Sequence, residues 1–167
     1  MRRAFLLAAM LMCASCAPRS FQELNVPAGG GAGYGYSEQR LDERRFVVTY
    51  SAPVETGLSF AGEAGREAAD RELNWAYEFA LARAAELALA NGYAAFRVED
   101  RRNDATSRNY EAWKGPFSRP QRNYAMDDAY LAARVTLVVA LTPTVELGAY
   151  DAQGTLATIR ERYAPPA

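Results

Sequence analysis

Between Ala69 and Ala90 the chain sets Leu73, Ala76, Ala80, Ala84 and Leu87 at steps of three and four, flanked by Tyr77, Leu81 and Ala88. That spacing draws one wide apolar stripe along an α-helix. Ala, Leu, Glu and Arg dominate the stretch with no Gly or Pro inside it, so helix propensity is high over several turns. Glu72, Glu78 and Arg83 fall off the centre of the stripe and are expected to stay hydrated. Asn91-Gly92 reads as the stop, because Gly adopts the left-handed conformation that returns the next amides to the last free carbonyls. Tyr93 to Val98 then begins a strand with almost no loop. A second row, Trp75, Phe79, Ala82 and Leu89, runs along the other side of the helix, interrupted only by Glu86. A helix lying on a sheet does not need that row, so a cover from the same chain is expected.

Strand patterns surround the helix. Tyr34 to Ser51 reads as two strands joined at Asp42-Glu43-Arg44, with Phe46, Val48 and Tyr50 on one face of the second. Pro53, Gly57, Gly62 and Gly65 predict a loop before the helix. From Ala129 to Leu141 the alternation is cleanest: Leu131, Ala133, Val135, Leu137, Val139 and Leu141 face one way, which predicts a central strand ended by Pro143. Asp151 can cap a short last helix whose Leu156, Ile159 and Tyr163 share a face. That helix is the expected cover for Trp75 and Phe79. The fold class is therefore α+β: a small antiparallel sheet of three to four strands with one long helix packed on one face and a short C-terminal helix, in a single domain over 34–163. Short links favour antiparallel order. Phe46, Val48, Phe96, Val98, Val135, Leu137 and Val139 are expected to meet Leu73, Ala80, Ala84 and Leu87.

The N-terminus changes the picture from fold to address. Arg2 and Arg3, an apolar run and then small residues have the build of a bacterial export signal over 1–15, with an apolar run too short to span a bilayer. Cys13-Ala14-Ser15-Cys16 resembles a lipobox, the signal at which a Cys becomes the acylated first residue of a lipoprotein; Cys13 stands where Leu is usual. The chain has only these two cysteines, so no disulfide framework is available and Cys16 is the expected lipidation site. Ala17 follows it rather than the Asp typical of inner-membrane retention, which points to a periplasm-facing place on the outer membrane. The alternative is a plain secretory signal cut near Cys16, giving a soluble periplasmic protein. Residues 16–33, poor in periodicity and rich in Gly, read as a flexible tether. About 150 residues remain after the leader, enough for one ordinary domain and not two. The formal charge of the full chain is -1, which argues against a nucleic-acid partner.

Gly35-Tyr36-Ser37-Glu38-Gln39-Arg40, an acidic turn, a strand, and a helix carrying Arg83-Ala84-Ala85-Glu86-Leu87 and ending in Asn91-Gly92-Tyr93 together resemble an uncharacterised family of small proteobacterial lipoproteins. The likeness covers most of Tyr34 to Arg101. It implies a lipoprotein and supplies no catalytic residues; the long Ala-rich entry to the helix departs from the pattern.

Chemistry is limited by what the chain lacks. It has no His and its cysteines lie in the signal region; Lys114 is the lone Lys, so most nucleophile and general-base arrangements cannot be built. Neither a cofactor nor a metal is expected. Glu99-Asp100, Asp127-Asp128 and Asp42-Glu43 are adjacent acidic pairs, better explained as solvated charges than as a catalytic pair. The most specific surface signal is the stretch 101–125, expected to be a mobile loop that orders against a partner. Arg101, Arg102, Arg108, Lys114, Arg119 and Arg122 are interleaved there with Tyr110, Trp113, Phe117 and Tyr124, a mixture suited to a protein interface or to anionic sugars and lipid phosphates. The expectation is a non-catalytic binding or structural protein of the envelope, contacting the membrane through its lipid and an envelope protein or anionic glycan through this segment. A carboxylate-dependent envelope hydrolase is the alternative.

Overall fold

The structure is a computed structural model and describes residues 23–25, 33–53, 55–56, 62–108 and 130–163. In chain order the elements are β1 (Gly35–Arg40), β2 (Arg45–Ser51), β3 (Glu55–Thr56), α1 (Gly62–Ala90), β4 (Ala95–Arg108), β5 (Tyr130–Thr142), β6 (Tyr150–Asp151) and α2 (Ala152–Tyr163). The sheet runs β1-β2-β5-β4-β6, with β3 pairing β5 off that path, and every pairing is antiparallel. The α+β class is as the patterning predicts. The sheet is larger than three to four strands because β3 and β6 are two-residue pairings, too short to leave a periodic signal.

Strand β5 is central, bonded to β2 on one side and β4 on the other. Its register places Val139 opposite Phe46 and Val98, Leu137 opposite Val48, and Leu141 opposite Phe96. Those side chains share one face by the two-residue period of a strand. Val48, Phe96, Val135, Leu137 and Val139 are fully buried there against Ala76, Ala80 and Ala84 of α1. The alanines matter for their size: without bulk beyond Cβ, the helix axis can settle close to the sheet. Each large apolar side chain buried this way contributes roughly 1.5–3 kcal/mol.

Helix α1 stops as the sequence predicts. Gly92 has φ 78°, its N–H donates to the Leu89 carbonyl at 3.1 Å and the Tyr93 N–H donates to Ala88 at 2.9 Å. These are the two bonds of a Schellman cap. The start differs from expectation: Gly62 and Gly65 belong to the helix, not to the preceding loop. Tertiary cover outweighs their poor propensity, since the first turns carry Ala68 against Leu131. Glu72, expected to be hydrated, is 6% exposed; it stands in the Ala68, Trp75, Ala76, Phe79 row that the fold covers.

Helix α2 returns antiparallel along α1 and covers the second row. Asp151 caps it through Oδ2, which accepts the Gly154 N–H at 2.9 Å. Leu156 and Ile159 are buried, and Tyr163 meets Phe79 at 5.0 Å and Trp75 at 6.2 Å between ring centroids. Tyr50 of β2 touches the same two rings from the sheet side. Trp75, Phe79 and Ala82 are buried as a result, whereas Leu89, the penultimate residue of the helix, is 42% exposed.

Two boundaries change. The stretch 101–125 was expected to be a loop throughout, yet Arg101 to Arg108 continue β4 and pair residue by residue with β5 from Leu137 to Tyr130. Backbone pairing, not side-chain burial, holds this part, since Arg101, Arg102 and Asn103 are exposed. The remainder of that segment lies outside the described residues. Within the expected tether, Glu23 bridges Tyr36 and Asn25 bridges Tyr34, with the Leu24 N–H on the Tyr36 carbonyl at 2.7 Å. Strand β1 would otherwise be an open edge, and those free groups are what the segment pairs with.

Candidate functional site

The strand period sends the residues between the core positions to the opposite face of the sheet, on which no described element packs. Across that face β2 contributes Thr49 and Ser51, β5 contributes Ala132, Arg134 and Thr136, and β4 contributes Arg102, Asp104 and Thr106, in facing register. Ser51 and Asp104 both stand opposite Arg134. Toward the Gly33 end all of these but Thr49 and Thr136 line a cleft of about 310 Å³, together with Gly33, Ala52 and Ala133.

The cleft's polar groups are held in place by their neighbours. Nε of Arg134 donates to Ser51 Oγ at 3.1 Å, and Ser51 is 6% exposed, so one end of the guanidinium is tied to a buried hydroxyl. No acceptor among the described residues takes the terminal nitrogens of Arg134. Arg102 lies alongside, its Nε 3.1 Å from Asp104 Oδ2. The pair is well exposed and contributes little to stability. Thr49 and Thr136 hydroxyls meet at 3.1 Å and continue the polar row. Two arginines against one aspartate give the cleft a positive balance. A planar guanidinium with free terminal N–H donors is suited to a carboxylate or phosphate oxygen pair.

Of the candidates read from the sequence, Arg102 is brought into this cleft. Arg101, its neighbour, points to the other face, and its guanidinium lies 3.8 Å from the centroid of the Tyr77 ring. There it packs over a half-buried polar contact, the Tyr77 and Tyr150 hydroxyls at 2.9 Å. Desolvation, followed by that hydrogen bond, pushes the Tyr77 hydroxyl up to about 12. Arg108 ends β4, paired with Tyr130. Tyr110, Trp113, Lys114, Phe117, Arg119, Arg122 and Tyr124 lie outside the described residues, as does Cys16. Glu99 and Asp100 are exposed and sit at the β-bulge that follows Val98.

Arg134, Ser51 and Thr106 were not singled out from sequence. Arg134 did carry a signal, as the one cation inside the apolar β5 pattern and on its polar register. No protein-family model, no curated protein and no solved structure matches the chain.

Proposed function

We propose that the chain is an exported lipoprotein, acylated at Cys16 and facing the periplasm from the outer membrane, whose domain binds an anionic envelope glycan without catalysing a reaction on it. The observation that carries the binding part is the cleft on the sheet face that no described element covers, where Arg134 is oriented by buried Ser51 and Arg102 stands beside it. A uronate carboxylate or a sugar phosphate matches the donors that Arg134 offers, and Thr106 supplies a hydroxyl for a sugar ring. The lipobox-like Cys13-Ala14-Ser15-Cys16 supports the address. The hydrolase reading has less support: among the described residues Asp104 is the one acid lining the cleft, and it is tied to Arg102, whereas glycoside hydrolysis calls for two opposed carboxyl groups.

The test is an amide-shift titration of the protein with glucuronate and with glucose 1-phosphate. Shifts confined to Ser51, Arg102, Arg134 and their neighbours, lost in Arg134→Ala, are the expected result. Saturating additions that move no resonance on this face would overturn the binding assignment.

A further inference from the structure

We infer that the end of the domain formed by residues 41–44, 91–94 and 143–149 lies against the lipid surface; this rests on the reading of Cys16 as the acyl anchor. These three links meet at one end of the sheet. Arg45 of β2 pairs with Ala140 and Ala95 of β4 pairs with Thr142, the Leu141 N–H donates to the Arg44 carbonyl at 2.8 Å, and Arg44 lies 6.0 Å from the centre of the Tyr93 ring.

Among the described residues the exposed large apolar side chains are Leu24, Leu41, Leu89, Val145 and Leu147. Apart from Leu24 on the N-terminal segment, all belong to this end. Leu147 is 99% exposed and Val145 57%, on a link braced by Arg97, which contacts the Leu147 carbonyl at 3.4 Å and Glu146 at 3.5 Å. Four exposed apolar side chains at one end of the molecule, Leu41, Leu89, Val145 and Leu147, make a surface suited to an apolar phase. Arg44 lies in the first link, and Arg40, Arg45 and Arg97 flank the links at the ends of β1, β2 and β4, where lipid phosphates would lie. Of the acids there, Asp42 pairs with Arg45 and Glu146 with Arg97, whereas Glu43 is exposed.

The occupant follows from where the chain leaves the domain. Going back from Asn25 to Glu23 the bridged residue changes from Tyr34 to Tyr36, so at Glu23 the chain has moved along β1 toward Leu41. From Tyr36 to Leu41 along a strand is roughly 17 Å, and the residues from Cys16 to Glu23 reach at most about 24 Å. An acyl chain on Cys16 can therefore enter the bilayer beside Leu41 and Leu147 with the Glu23–Asn25 pairing intact. Docked this way, the cleft, which opens toward the Gly33 end, points away from the membrane.

The test uses the acylated protein in phosphatidylethanolamine and phosphatidylglycerol vesicles, with Leu147→Cys or, separately, Thr106→Cys carrying an environment-sensitive fluorophore. Acylated Cys16 offers no competing thiol. With a quencher placed on the lipid tails, the label at position 147 is expected to be quenched severalfold more than that at 106. Equal or reversed quenching in protein that carries the acyl mass on Cys16 would overturn the orientation alone. Absence of that mass would overturn the anchor reading, and the orientation with it. Quenching at 147 only at high protein density, together with crosslinked dimers, would assign the surface to a second copy and likewise refute the proposal.

Discussion

Phe79 is the side chain on which the three layers converge. Its ring lies 5.1 Å from Tyr50 of the sheet, 4.6 Å from Trp75 of its own helix and 5.0 Å from Tyr163 of α2. Truncation leaves a cavity that none of the three can fill alone, so Phe79→Ala is expected to cost about 3–4 kcal/mol in denaturant unfolding. A loss near zero would mean that the aromatic cluster is not the joint between layers. Tyrosine ionisation probes the same region. Desolvation first, then the hydrogen bond to Glu78 at 2.5 Å, pushes the Tyr163 hydroxyl up to about 12, and Tyr77 is raised to about 12 as well. The folded state thus holds protons that the unfolded chain releases near 10, so their contribution is present below pH 10 and is lost as pH rises toward 12. Asp42 works at the other extreme. Its carboxylate accepts the Arg44 and Arg45 N–H groups and pairs with the Arg45 side chain, which lowers its pKa from 3.8 to about 2, and the turn it organises weakens as pH falls through that range. Helix content and phenolate absorbance followed against pH check both limits; an alkaline midpoint at the free tyrosine value would contradict the first.

At the level of elements, α2 is joined to α1 by apolar packing and by a line of polar contacts. Arg160 meets Glu86 at 3.0 Å, Arg162 pairs with Glu78, and Arg83 links Glu86 at 2.8 Å to Glu38 of β1 at 2.7 Å. These pairs are partly exposed and fix orientation more than they add stability. Removing residues after Asp151 is therefore expected to destabilise the fold chiefly by uncovering Trp75 and Phe79. In a Trp113→Phe background the emission of Trp75 should shift to the red and cooperative unfolding should be lost; an unchanged spectrum would contradict the cover. This joint was legible in sequence, since Trp75 and Phe79 formed a row with no use on a sheet and Leu156, Ile159 and Tyr163 formed its match. What escaped was tertiary in origin. Glu72 was expected in water for its charge, yet its place in the row of Trp75 and Phe79 buries it. The continuation of β4 through Arg101 to Arg108 rests on backbone pairing with β5, to which side-chain patterning is blind.

For the whole molecule, the sheet divides the labour. One face is filled by α1 and, through it, α2; the other keeps a polar row that ends in the Arg134 cleft. One residue of that site could be read in advance: Arg102 stood out in a basic aromatic run, but Ser51 and Arg134 come from strands distant in sequence, and only register brings them to Asp104. Replacing Cys16 by Ser is expected to release the protein into the soluble fraction, checked by fractionation and by the acyl mass on the mature N-terminus. Retention of the substituted protein in the membrane fraction would contradict the anchor.

The open sheet face as the binding surface is the claim on which the functional account stands. The most direct test is photocrosslinking in intact cells with a photoreactive side chain at Thr106, on the cleft, or at Ala157, on the exposed side of α2. The account predicts an adduct with envelope glycan from position 106, abolished by Arg134→Ala, and none from position 157. Adducts from 157 alone, or adducts from 106 that survive Arg134→Ala, would contradict it.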